Sequence, residues 1–443
     1  MKTLILNATI INEGTSQRGS VLIDNDLIAR VDYEPTAPTA EADMVIDGEG
    51  YLLMPGVIDE HVHFREPGMT QKADIMTESR AAAAGGVTTY FDMPNCRPAT
   101  TTLEAWKDKM DRAAETSAVN YSFFFGATND NTELLAQLDR QHVCGIKLFM
   151  GSSTGNMLVD DEAALRRIFS ESPLPIMAHC EDTDIINRNS ADIRAKYGDN
   201  ADVKYHPIIR SEEACVKSSA LAIRLTSETG ARLHIAHIST ATELDMIAHA
   251  PENITGEVCL SHLLFCDEDY ETLGTRIKCN PAVKTRTDRD ALRHALAQPC
   301  KAAMTIGTDH APHLPTDKEG GCLKAASGMP MVQFSLPAMM TMSDEGLLSR
   351  ERVVELMCHA PARLFGVERR GFVRPGYFAD LVLLHKESHT VNAGEILSRC
   401  GWSPLEGCTL GWRICTTWVN GNAVYNNGNI NPDTRGRAVT FCR

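Results

Sequence analysis

"PGVIDEHVHFREPG", residues 55 to 68, is the stretch from which the fold can be read. An apolar run ends in two histidines one residue apart, His61 and His63, followed at once by Arg65. Alternate side chains of a β-strand share a face, so His61 and His63 project together while Val62 packs behind them. That spacing suits metal ligation. A lone His-x-His pair can equally be two half-exposed histidines with no ligand, and the rest of the chain has to decide.

From residue 55 to about residue 310 short β-rich apolar runs alternate with longer helix-like segments. The runs are "GVIDEHVHF", "GVTTYFDM", "NYSFFFGA", "CGIKLFM", "PIMAHC", "RLHIAHIS", "ITGEVCLSH" and "AAMTIGTDH". Between them lie segments such as "TTLEAWKDKMDRAAET" and "SEEACVKSSALAIRLTSETG", opening on Ser, Thr or Asp and in two cases closing on Gly, as helix caps do. Eight repeats of strand then helix predict an α/β fold with a (β/α)8 TIM-like barrel, spanning residues 55–372. The flanks, 1–54 and 373–443, read as short alternating strands, with "NG" hairpin signals at 420–421 and 427–428. They predict a small β-sandwich domain built from both chain termini.

Composition narrows the function. A chain of 443 residues with 43% hydrophobic and 23% charged residues is an ordinary globular protein. Its formal charge of −15 argues against phosphate backbones and anionic membrane surfaces as partners. With no long apolar window and no signal-peptide pattern, the expectation is a cytoplasmic protein with a small-molecule substrate, no nucleic acid and no membrane. The 14 cysteines lack CxxC pairs and regular spacing, so they are expected to be reduced, mostly buried thiols.

Active sites of such barrels sit at the carboxyl ends of the strands, and ligand-type residues recur there. The first run supplies His61 and His63, the fourth Lys147, the fifth His179, the sixth His237 and the eighth Asp309. Any one of these histidines could be a hydrogen-bonded packing residue. Independent packing residues have no reason to share one rim, so together they read as a metal constellation. Lys147 is anomalous, because an ammonium repels divalent cations; its ordinary alternative is a lysine paired to a nearby carboxylate. Addition of CO2 to its amine would give an anionic carbamate able to bridge two metals.

With these residues placed, the chain resembles the amidohydrolase superfamily and, within it, the dihydroorotases of bacterial class I type. The resemblance runs through "HVHFREPG" (61–68), "DMPNCRP" (92–98), "GIKLFM" (145–150), "MAHCED" (177–182), "HIAHIST" (234–240), "KCNPAVK" (278–284), "GTDHAPH" (307–313) and "SPLEG" (403–407). It implies two Zn2+ ions held by His61, His63, His179, His237 and Asp309, bridged by carboxylated Lys147 and hydroxide. Some of these relatives bridge with an aspartate from the loop after the fourth strand, which leaves Asp160 or Asp161 in "GSSTGNMLVDDE" as an alternative to Lys147. Such ligands also suit Co or Mn.

The resemblance further implies that Arg65, Asn95 and His313 bind a substrate carboxylate, a guanidinium being able to grip it with two parallel hydrogen bonds. Asn280 would reach the ring, and the loop "AASGMP" (325–330) would face it with backbone groups unless Gly328 is only a turn. His310, Glu181 and His262 are assigned to support. The implied activity is reversible interconversion of dihydroorotate and N-carbamoyl-aspartate in pyrimidine biosynthesis, with Asp309 as general acid and base, in a homodimer. Allantoinase and dihydropyrimidinase activities, or an inactive scaffold serving a partner such as aspartate carbamoyltransferase, remain the alternatives. The arginine of "HFREPG" favours dihydroorotate, because hydantoinase-like relatives share the paired histidines without it.

Overall fold

The computed structural model describes residues 1–33, 41–151 and 157–443. Its centre is a closed ring of eight parallel strands: β1 (Val57–Val62), β2 (Val87–Asp92), β3 (Asn120–Phe123), β4 (Ile146–Phe149), β5 (Ile176–His179), β6 (Leu233–Ile235), β7 (Ile254–Cys259) and β8 (Thr305–Gly307). The expected (β/α)8 barrel is present. Strand β3 is broken at Phe124: its first part pairs with β2, while the extension Phe125–Gly126 pairs with β4. The ring closes where Val62 bridges His310 and the His63 N–H donates to the His310 carbonyl at 2.7 Å. All β1 residues are buried, as are those of the other barrel strands, which explains why they read as continuous apolar runs rather than alternating ones.

The helices start at side-chain caps, at Ser211 and Thr240 where the expected segments open and a few residues inside the expected opening at Asp74 and Thr102. Asp74, Thr102, Ser211 and Thr240 each accept a backbone N–H in the first turn of the helix that follows, and Gly230 ends Glu212–Thr229 in the left-handed region. The unit after β3 departs from the pattern, having only a 3-10 turn, Thr132–Gln137.

Both chain ends build one nine-stranded sheet. Lys2–Asn12 pairs with Leu52–Pro55, which pairs with Leu381–Thr390, so that N- and C-terminal strands sit side by side. Ile5, Val21, Ile28, Leu53, Leu381 and Trp418 form its core. Both predicted hairpins form: Asn420–Gly421 and Asn427–Gly428 have positive φ at each residue, as a type I′ turn demands. The C-terminal stretch then leaves the sheet, and Val439 and Phe441 pack with Ile58, Phe91 and Phe124 of the barrel. No helix among the described residues is long and apolar enough to cross a membrane. The cysteines are free thiols, most of them buried, as expected, with Cys408 and Cys442 exposed.

Candidate metal centre and substrate cavity

A cavity of about 460 Å³ opens at the carboxyl ends of the strands, and all ten residues singled out from the sequence line it: His61, His63, Arg65, Asn95, Lys147, His179, His237, Asn280, Asp309 and His313. They come from strand ends and the loops just beyond, so residues about 250 positions apart in the chain meet.

The histidines are oriented from behind. His61 Nδ1 lies 2.8 Å from a Glu257 carboxylate oxygen, His63 Nδ1 2.7 Å from Asn95 Oδ1, and His179 Nε2 2.9 Å from Glu181. In each case the occupied nitrogen holds the ring so that the other faces the common centre, as in metal-ligating histidines. The inward nitrogens converge. His63 Nε2 is 3.0 Å and His61 Nε2 3.4 Å from Asp309 Oδ1, and ligand atoms of His61, His63 and Asp309 lie within 4.8 Å of one another. His179 Nδ1 and His237 Nε2 face each other at 2.9 Å. The ring centroids of His61 and His237 are 5.3 Å apart, which joins the two groups.

Lys147 carries the clearest sign that something is to be held here. It is fully buried, its Nζ has no hydrogen-bond partner among the described residues, and no carboxylate pairs with it. The ordinary role of a barrel lysine, a salt bridge to a neighbour, is therefore not the one adopted. Burial pushes the amine down to about 8, against the pull of Glu257 and Asp309. A lowered amine has a larger free-base fraction near neutral pH than an ordinary lysine, and the free base is the form that adds CO2. Donor set and orphaned amine together fit divalent-cation binding.

Asp160 and Asp161 do not fit that task. Both are exposed: Asp161 caps the helix Glu162–Glu171 by accepting from the Ala163 N–H at 2.8 Å, and Asp160 accepts from Asn129 at 3.1 Å. The same loop's residues 152–156 lie outside the described residues.

Asp309 sits between the histidines with positive φ, as do His237 and Arg65. Three non-glycine residues in that sparsely populated region around one cavity mark backbone held in place by its surroundings. Burial works to raise the Asp309 carboxyl, and His61 and His63 outweigh it, keeping it a carboxylate below its ordinary range. His63 is itself pushed down to about 4 by burial.

At another part of the wall Arg65 is 8% exposed. Its Nε donates to the Pro312 carbonyl at 3.0 Å and its Nη2 meets His313 Nε2 at 3.0 Å, but no carboxylate pairs with it among the described residues. Lys72 reaches the other nitrogen of His313 at 3.0 Å. Burial, then the charges of Arg65 and Lys72, hold His313 far below the ordinary histidine range, so it is neutral. Asn95 and Asn280 have protein partners as well, His63 and His206 respectively.

The supporting residues divide. Glu181 accepts from His179 and from Arg210, as expected of a ligand's support. His310 instead bonds Glu78 and the backbone N–H groups of Met331 and Val332, and His262 bonds the Pro281 carbonyl. Both anchor loops rather than ligands. Glu257, Lys72, Arg210 and His206 were not singled out from the sequence. Glu257 left one trace, a lone carboxylate inside the apolar run "ITGEVCLSH".

Comparison with known proteins identifies the family. The relatives include a dihydroorotase of Halobacterium salinarum, 34% identical over 406 residues and spanning 90% of this chain and 92% of that protein. An allantoinase of Bacillus velezensis is 30% identical over 435 residues, 96% of this chain and 94% of that one. The solved L-hydantoinase (dihydropyrimidinase) of Arthrobacter aurescens superimposes with a TM-score of 0.93 at 28% identity, covering 99% of each chain. Residues 52–424 match the amidohydrolase family, and the chain belongs to that family.

Proposed function

We propose that this protein is a cyclic amide hydrolase whose substrate carries a carboxylate, and that it interconverts dihydroorotate and N-carbamoyl-L-aspartate. The observation that carries the reading is Arg65. A guanidinium buried to 8% exposure with no carboxylate partner among the described residues is an uncompensated charge in the wall of a cavity. A ring substrate bearing a carboxylate supplies the missing partner, with two parallel hydrogen bonds open to it. An uncharged ring, as in the allantoinase or dihydropyrimidinase alternatives, leaves the charge unmatched. The dihydroorotase relatives support the same choice, whereas the hydantoinase likeness speaks to the scaffold.

His61, His63, His179, His237 and Asp309, with Lys147 as a carbamate, are the residues that would hold two divalent cations, zinc being the expected metal. Such ions supply Lewis acidity at the ring carbonyl and make water a competent nucleophile at neutral pH. Asp309 takes the proton that water loses as its oxygen bonds to the ring carbonyl carbon, then delivers it to the ring nitrogen as the C–N bond breaks. Ring closure reverses both transfers. Arg65 and His313 fix the carboxylate, and Asn280 borders the ring.

Steady-state turnover of the metal-loaded protein with dihydroorotate, allantoin, dihydrouracil and hydantoin tests the assignment. Preference for dihydroorotate is expected. Faster turnover of an uncharged ring overturns it, and no turnover with near-zero bound metal returns the protein to the scaffold alternative.

A further inference from the structure

One group of contacts at the cavity wall belongs neither to the metal centre nor to the Arg65 pocket. Lys318, the last residue of the turn Pro315–Lys318, is 4% exposed. Its Nζ donates to three backbone carbonyls: Lys278 at 3.0 Å, Ala326 at 2.8 Å and Gly328 at 2.8 Å. Three acceptors match the three N–H groups of an ammonium. Two of the carbonyls belong to the loop 326–328 that lines the cavity, and the third lies two residues before Asn280, on a different segment of the wall. The Gly328 N–H also donates to the Lys278 carbonyl at 2.8 Å, so the two segments are stitched through one ammonium.

This contact decides which way a peptide faces. In a trans peptide unit the C=O and N–H point in opposite directions. With the Ala326 carbonyl turned onto Lys318, the Ser327 N–H points away from it, and that N–H has no acceptor among the described residues. The Ser327 carbonyl is already taken, accepting from His313 Nε2 at 3.0 Å. Gly328, at φ +131°, permits the backbone path; a Cβ there would lie 2.7 Å from that of Ala311. Without the ammonium, three clustered carbonyls lose their common donor, and the 326–327 peptide is free to turn and present an acceptor where a donor stood.

We propose that Lys318 is a positioning residue that sets the polarity of this wall, holding the carbonyls of 326 and 328 away so that the Ser327 N–H is offered to an acceptor of the substrate ring. The identity of that acceptor as a ring carbonyl rests on the cyclic amide reading above. Lys318 touches no reacting atom, so its loss acts on binding rather than on the chemical step.

The test uses Lys318→Met, which keeps the stem and removes the donor, and Lys318→Gln, which removes the charge but keeps two N–H groups. Wild type is first assayed against the four ring substrates, and the variants are then measured with whichever it turns over. Hydrogen exchange of the peptide covering 325–330 is measured without substrate. In Lys318→Met, KM is expected to rise about tenfold with kcat and bound metal little changed, the loop exchanging faster, and Lys318→Gln recovering part of both. An unchanged KM in folded, metal-loaded Lys318→Met overturns the proposal, as do equal KM rises in both variants with unaltered exchange, which reveal a charge effect alone. Should the Met variant fail to fold, unchanged KM and exchange in the Gln variant overturn it. If wild type turns over none of the rings, the functional reading fails while the exchange data still decide the case for Lys318.

Discussion

The barrel has a cavity at each end, and the two are instructive side by side. The one at the amino ends of the strands is the larger, about 530 Å³ against about 460 Å³ at the carboxyl ends. It also has a histidine, a glutamate pair and several cations in its wall. Yet most of its polar groups are satisfied by their neighbours. His234 is held on both nitrogens by Thr255 and Thr305, at 2.8 and 3.2 Å, Lys301 bonds Glu252, and Arg352 bonds two backbone carbonyls. At the carboxyl end Lys147 Nζ and His237 Nδ1 are buried without hydrogen-bond partners, and Arg65 without a counter-ion, among the described residues. Volume does not mark a site. Unsatisfied ligand-type and charged groups that converge on one cavity do, because each costs folding stability that a ligand in that cavity can restore.

The sharpest break of this contrast is at Asp309. Asp309→Asn is expected to lower kcat by about 10²-fold or more, with the fold intact and metal retained. Near-normal turnover would remove the carboxylate from proton transfer. Next is Glu257, whose negative charge behind Nδ1 makes His61 a stronger ligand: Glu257→Gln should weaken metal binding about 10- to 100-fold in a chelator competition. Equal affinity would mean that the carboxylate does not orient the ligand.

Arg65→Met removes a charged hydrogen-bonding partner worth about 1.5 to 3 kcal/mol and should raise KM for a carboxylate-bearing ring accordingly, leaving an uncharged ring unaffected. If both rings respond alike, Arg65 is not reading the carboxylate.

The smallest effect on turnover, none, belongs to the opposite cavity. Burial pushes His234 down to about 4 from its ordinary 6.5. The unfolded chain therefore binds this proton below 6.5 while the folded chain refuses it until about 4, so stability falls as pH drops through that window, by up to about 1.4 kcal/mol per pH unit. His234→Gln should flatten that part of a melting-temperature profile without changing kcat or KM. A change in turnover would show that the two ends are coupled.

How much of this was legible in the sequence differs from residue to residue. His61, His63, His179, His237 and Asp309 stand at strand ends, where a residue's place in the chain already states which rim it joins. The "NG" pairs announced their turns because only residues tolerant of positive φ suit both positions. Lys318 gave no such signal, and Glu257 only that of a lone carboxylate inside an apolar run. Each acts through a contact with atoms far away in the chain, and no local pattern records what a side chain will meet. Asp161 shows the converse: its chemistry suited a bridge, and local hydrogen bonding to the Ala163 N–H claimed it, while Asp160 was claimed by Asn129 from another segment.

The amino-acid order alone determined the barrel, its flanking sheet and the set of ligand-type residues, because periodicity, caps and turn chemistry are local and each strand end names its own rim. Only the folded arrangement decided which nitrogen of each imidazole faces inward and that, among the described residues, Lys147 finds no hydrogen-bond partner and Arg65 no carboxylate. Those are properties of distances between segments, and they exist only once the ring of strands has closed.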